Sequence, residues 1–157
     1  MRSFVLVTGV AAALAAGVLS VTAQAEPPFS FVVILRSVGN PGAGFGVVDV
    51  SQPKDADKIA YLETWVHLAP NRRYSLQRAV DMQLDGKCTS TGWLTLGKGL
   101  APRTINTDAG GSGHEALFRD LAAIPTGTQF DIHFRVIDAA TSAPVLSSRC
   151  YRFAVRP

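Results

Sequence analysis

The side chains best suited to acid–base or metal chemistry in this chain are three histidines, His67, His114 and His133. Imidazole titrates near neutrality and ligates metal ions, and three is the smallest set that builds a catalytic zinc site. None lies within four residues of another, so only the tertiary fold could gather them. His67 closes an apolar run beside Ala69-Pro70-Asn71, His114 follows a glycine turn, and His133 alternates with Asp131 and Arg135 on what reads as a solvent-facing strand surface. Ordinary surface or edge histidines account for all three. The competing reading is an exported metal-binding or hydrolytic enzyme that uses His67, His114 or His133.

Other catalytic signatures are missing. No serine sits in a G-x-S-x-G elbow. Glu63 and Glu115 are the only glutamates after Glu26, and strand alternation or a helix cap explains each without a paired-carboxylate site. Gly42-Ala43-Gly44-Phe45-Gly46 has the glycines of a phosphate loop but not its lysine, and reads as a flexible strand entry. Asp108 stands alone where a calcium loop needs several carboxylates. No catalytic residue, metal ligand or cofactor is assigned on these grounds, and the pattern favours a non-catalytic binding domain over an enzyme.

A binding surface is easier to name. Tyr61, Glu63, Trp65 and His67 alternate with Leu62, Thr64, Val66 and Leu68, so each set lines one face of a strand. Either set could face the core, and packing the aromatics inward is the default for residues of that size. If instead they face water, they form the best candidate stripe for a protein or envelope partner.

The chain's start bounds where any such partner would be met. Arg2 precedes an apolar, Ala- and Gly-rich run from Phe4 to Val21, which ends in Ala23-Gln24-Ala25. A positive start, an apolar middle and small residues at the cut make a cleavable export signal over residues 1–25. Residues 26–157 then form one domain without a membrane span, secreted or periplasmic. That part carries fourteen basic and twelve acidic residues, a balance too even to argue for nucleic acid. Cys88 and Cys150 both lie in it, and in an oxidising compartment they pair as a structural disulfide. Their spacing fits neither C-x-x-C redox chemistry nor zinc.

Period-two patterning dominates the rest. Phe130, Ile132, Phe134 and Val136 alternate with polar residues, as do Tyr151, Phe153 and Val155. Ser30 to Leu35 reads as a strand covered on both faces; Phe45 to Val50, Lys58 to Leu68, Tyr74 to Met82 and Trp93 to Leu96 supply more. Turn-forming Gly, Pro and Asn separate them. The segment 113–123 is ambiguous: Ser112-Gly113-His114-Glu115 fits a helix capping box, while His114, Ala116 and Phe118 share a strand face. A strand to about Phe118 followed by a short helical turn is the expectation. The whole predicts an all-β domain, an antiparallel immunoglobulin-like sandwich of about seven to nine strands.

Leu68-Ala69-Pro70-Asn71-Arg72-Arg73-Tyr74 resembles the L-x-P-x-x-x-Y corner of fibronectin type III and related immunoglobulin-like sandwiches. The resemblance implies that Leu68, Pro70 and Tyr74 form a structural corner, the tyrosine hydroxyl bonding back to the chain. The Thr107 to Gly113 hairpin and Pro125-Thr126-Gly127-Thr128 are similar to small exported bacterial sandwiches of the chordin-like and copper-zinc dismutase-like kind. The dismutases' two histidines separated by one residue are absent, so the likeness implies a fold and no activity.

Overall fold

The computed structural model describes residues 30–40, 42–53 and 58–157. The export signal expected over residues 1–25 lies outside them. Twelve strands follow in chain order: β1 (Ser30–Ser37), β2 (Phe45–Ser51), β3 (Ile59–His67), β4 (Arg73–Asp81), β5 (Leu94–Thr95), β6 (Gly97–Lys98), β7 (Ala101–Pro102), β8 (Ile105–Asn106), β9 (Ser112–Asp120), β10 (Gln129–Asp138), β11 (Pro144–Ser148) and β12 (Tyr151–Ala154). No helix occurs among the described residues.

The alternation read from the sequence sets which side chains turn inward. Val33 and Leu35, Val48 and Val50, Leu62 and Val66, Tyr74 and Leu76, and the Phe130–Val136 row form a single buried cluster. Fully burying one Leu, Ile or Phe contributes about 1.5–3 kcal/mol, so this cluster is the main favourable term in folding.

The strand order β5-β4-β10-β11-β1-β2-β3-β9-β6-β7 makes one mixed, nearly closed, barrel-like sheet, with β12 on β10 and β8 on β4. It is not clearly the seven-to-nine-stranded antiparallel sandwich that the sequence predicts. The difference arises at Leu96. Trp93 to Leu96 reads as one strand, but the chain breaks at Leu96 and its two halves pair with different edges. β5 joins β4 at Gln77↔Thr95 and Arg78↔Leu94, the Leu96 amide donates to the Leu76 carbonyl at 2.8 Å, and β6 joins β9 in parallel at Lys98↔Phe118. A five-residue strap thus bridges the β4 and β9 edges and all but closes the barrel, covering edges that would otherwise be open to association. Gly97 permits this because a Cβ there would collide with the Ala101 carbonyl.

Three further expectations are corrected. Ser112–Asp120 is a strand throughout, running antiparallel to β3 over its full length, and only a tight turn follows, with the Ile124 amide donating to Leu121 at 2.8 Å. Nine residues of pairing with β3 outweigh the local capping box. β1 is covered on one face, not two: Val33 and Leu35 are buried, whereas Val32 and Ile34 are exposed.

The third correction concerns the outward face of β10, which is not open to solvent. The connection from Met82 to Trp93 folds over it: the Gly86 amide donates to Asp131 Oδ2 at 2.7 Å, His133 packs tilted against Trp93 with centroids 4.5 Å apart, and Arg135 sits 4.0 Å over the same indole. Asp131, 1% exposed, also receives Arg152 Nε at 3.3 Å. The Cys88–Cys150 disulfide, with its Cα atoms 5.4 Å apart, ties this connection to the β11–β12 turn.

At the opposite end Tyr74 is buried and its hydroxyl reaches back to the Ala69 carbonyl at 3.5 Å. Burial, then the Asp138 carboxylate, raises its pKa above the usual phenol value. The stronger pin at this corner is Thr107, whose Oγ1 donates to Ala69 at 2.8 Å and accepts from the Arg72 amide at 3.0 Å.

Candidate functional site

Tyr61, Glu63, Trp65 and His67 form the outward row of β3, because Leu62, Thr64 and Val66 take the core side. The default placement of the aromatics in the core is therefore reversed. Strand register extends the row into a surface. Across β1, β2, β3 and β9 it reads Arg36–Phe45–His67–Ser112, then Ile34–Val47–Trp65–His114, then Val32–Asp49–Glu63–Ala116. Phe45 is 58% exposed and Trp65 45%.

The surface is ordered by its own contacts. The Trp65 and His114 rings stack with centroids 5.0 Å apart, and Phe45 leans on His67 at 5.8 Å. His114 Nε2 lies 2.8 Å from Glu63 Oε2, and Ser112 Oγ lies 3.5 Å from His67 Nδ1. Beside it, Val32, Ile34, Arg36, Ser147, Arg149 and Tyr151 bound a hollow of about 330 Å³, with Arg149 4.9 Å over the Tyr151 ring.

The three histidines divide between two surfaces. His67 and His114 lie on this face, while His133 is on the far strand β10, under Trp93 and 3.1 Å from the Ser90 carbonyl oxygen. No group of three or more His, Cys, Asp or Glu residues able to hold a metal ion occurs among the described residues. Asp108 accepts from the Gly110 and Ser112 amides, which makes it a turn residue.

The chain matches no protein-family model, no curated protein and no solved structure.

A second site lies inside the barrel, and sequence reasoning missed it. A cavity of about 270 Å³ is walled by apolar residues that include Val50, Leu62, Phe130, Ile132 and Phe153. Its polar lining is Thr128 and two arginines, Arg78 and Arg119. Arg78 occupies the inward row of β4 between Leu76 and Val80, and Arg119 the inward row of β9 between Leu117 and Leu121. These are the two strands that the Leu96 strap joins. Arg119 Nη1 donates to the Gly99 carbonyl at 3.3 Å. The Arg78 guanidinium makes no hydrogen bond or ion pair among the described residues; burial, and then the Arg119 charge, lower its pKa. A charged residue in phase with an apolar row was the available signal, visible in Tyr74-x-Leu76-x-Arg78-x-Val80.

Proposed function

We propose that this chain is an exported, non-catalytic binding domain that docks a partner protein through the outer face of β1, β2, β3 and β9. The observation that carries the reading is the outward placement of Phe45, Trp65 and Tyr61 on one sheet face, with Val32 and Ile34 exposed beside them. Contiguous exposed apolar patches with polar rims mark interaction sites, and Trp, Tyr and Arg are over-represented where binding energy concentrates. The face carries both signs, Arg36 and Arg149 at its edge against Asp49 and Glu63 between the Trp65 and Tyr61 rows. An anionic membrane surface would call for basic residues alone, so the mixed charge favours a protein. The hollow beside Arg36 and Arg149 suits an acidic or planar side chain of that partner. Export from the cytoplasm, cleavage after Ala25 and kinship with small immunoglobulin-like exported domains belong to the same reading. The Cys88–Cys150 disulfide fits an oxidising compartment.

The test is crosslinking and affinity capture from the cell envelope with wild type and with Trp65→Ser and Phe45→Ser. Stoichiometric capture of one protein, lost in both variants at unchanged melting temperature, supports the reading. Capture indifferent to both substitutions, or binding only to anionic vesicles or glycans, overturns it. N-terminal mass spectrometry of the exported protein should find Glu26 first; Met1 there would overturn cleavage after Ala25.

A further inference from the structure

Independently of the outer face, we infer that the barrel interior is a binding site for an amphiphilic monocarboxylate, its apolar body in the cavity and its carboxylate between Arg78 and Arg119.

Protein interiors are packed to nearly crystalline density, and voids much larger than a water molecule are few. A 270 Å³ apolar-lined hollow, partly open to solvent, is therefore room that a ligand can enter and fill. Its walls set what that occupant is. Val50, Leu62, Phe130 and Phe153 offer no hydrogen bonds, so the body it takes is hydrocarbon or aromatic. An apolar cavity of ~150 Å³ holds one benzene, so this one has room for on the order of ten carbon atoms.

The charges set the rest. Placing an unpaired guanidinium on a core-facing row costs desolvation energy, and normally such a group is paired with a carboxylate. Here two of them line the same wall, and no carboxylate of the described residues pairs with either. Each raises the cost of the other, so a single anion entering between them relieves both. A guanidinium presents parallel N–H donors that match the two oxygens of a carboxylate. Arg119 uses one donor on Gly99, which fixes its direction and leaves the others for the ligand. The barrel provides the geometry: β4 and β9 lie apart in the strand order, and only the strap through Leu96 brings their inward rows to one wall.

The experiment compares decanoate with decanol on the purified, disulfide-bonded protein, by titration calorimetry and thermal unfolding at neutral pH. Decanoate should bind one to one and raise the melting midpoint, because a ligand specific to the folded state stabilises it. Decanol, with the same body and no charge, should bind at least tenfold more weakly. Arg78→Met keeps the stem and removes the charge; it should lose at least tenfold in decanoate affinity while raising the midpoint of the ligand-free protein. Arg119→Met should lose affinity as well. Should either variant fail to fold, Leu62→Trp, which fills the cavity and leaves both arginines, serves in its place and should abolish binding. Equal affinity for decanoate and decanol, binding unchanged in Arg78→Met, or no binding of either compound by wild type overturns the inference. Binding of acetate or inorganic phosphate as tight as that of decanoate overturns it too, since the apolar walls would then have no part.

Discussion

Trp65 and His114 face each other across the β3–β9 pair and stack with their rings 5.0 Å apart, while His114 Nε2 reaches Glu63 at 2.8 Å. The imidazole thus spends one edge on a carboxylate and one face on an indole. His67 is engaged with Phe45 and Ser112 on the same surface, and His133 is held under Trp93 on β10. Zinc or copper at stoichiometric concentration should accordingly leave the thermal midpoint unchanged. A metal-dependent rise that disappears in His114→Ala would favour a metal site over the docking surface. His114→Ala by itself should cost less than about 1 kcal/mol in urea unfolding, since its hydrogen bond to Glu63 is largely exposed.

The disulfide spans 62 residues. In the chain-entropy model it contributes about 4 kcal/mol, a large share of the ~5–15 kcal/mol by which domains are stable. Reduction, or Cys88→Ser with Cys150→Ser, should lower the melting temperature by on the order of 10–20 °C. It should also release the Met82–Trp93 connection from β10, which hydrogen exchange at Gly86 and Ser90, whose amides donate to Asp131 and Asp81, would report. An unchanged midpoint on complete reduction would show that the connection is held by Asp131 and Trp93 alone.

Asp138 accepts hydrogen bonds from the Ala140 and Thr141 amides at 2.9 and 3.1 Å and from Arg72 at 3.2 Å. The two amides, more than Arg72, hold its carboxyl below the usual aspartate range. A depressed folded-state value means that the unfolded chain takes up the proton first as pH falls. The stabilisation is therefore complete above about pH 4, the unfolded value, and is lost as pH drops through the lower folded value. Asp138→Asn keeps an acceptor for the amides but not the charge. It should be less stable than wild type at neutral pH and should lose less stability on acidification. Parallel pH profiles for the two proteins would contradict this assignment.

Gly111 has φ +84°, and a Cβ at this position would run into the Leu68 carbonyl oxygen, whose residue donates its amide to the Gly111 carbonyl at 2.9 Å. Gly111→Ala should destabilise the domain by at least about 2 kcal/mol, from left-handed strain and the displaced β3–β9 end. Gly127, also at positive φ but with open space around it, should tolerate alanine at a smaller cost. The difference between the two midpoints measures the close approach apart from the dihedral.

Alternation along the chain was enough to show an all-β domain, the inward row of β10 and the Cys88–Cys150 pair, because a period of two and a cysteine count are local or global properties of the string. It also placed Tyr61, Glu63, Trp65 and His67 on one face. Which face met water it could not decide: Leu62, Thr64, Val66 and Leu68 are equally regular, and the choice depends on what packs across from β3. At Ser112 the strand reading prevails over the capping box, and runs two residues past Phe118, because pairing with nine residues of β3 outweighs a local cap. The division of Trp93 to Leu96 and beyond between β4 and β9 depends on partners far away in sequence, for which a short apolar run carries no address. The same distance hid the cavity. Arg78 and Arg119 are each a single polar interruption in an apolar row, and only the closing of the sheet through Leu96 puts the two charges on one wall.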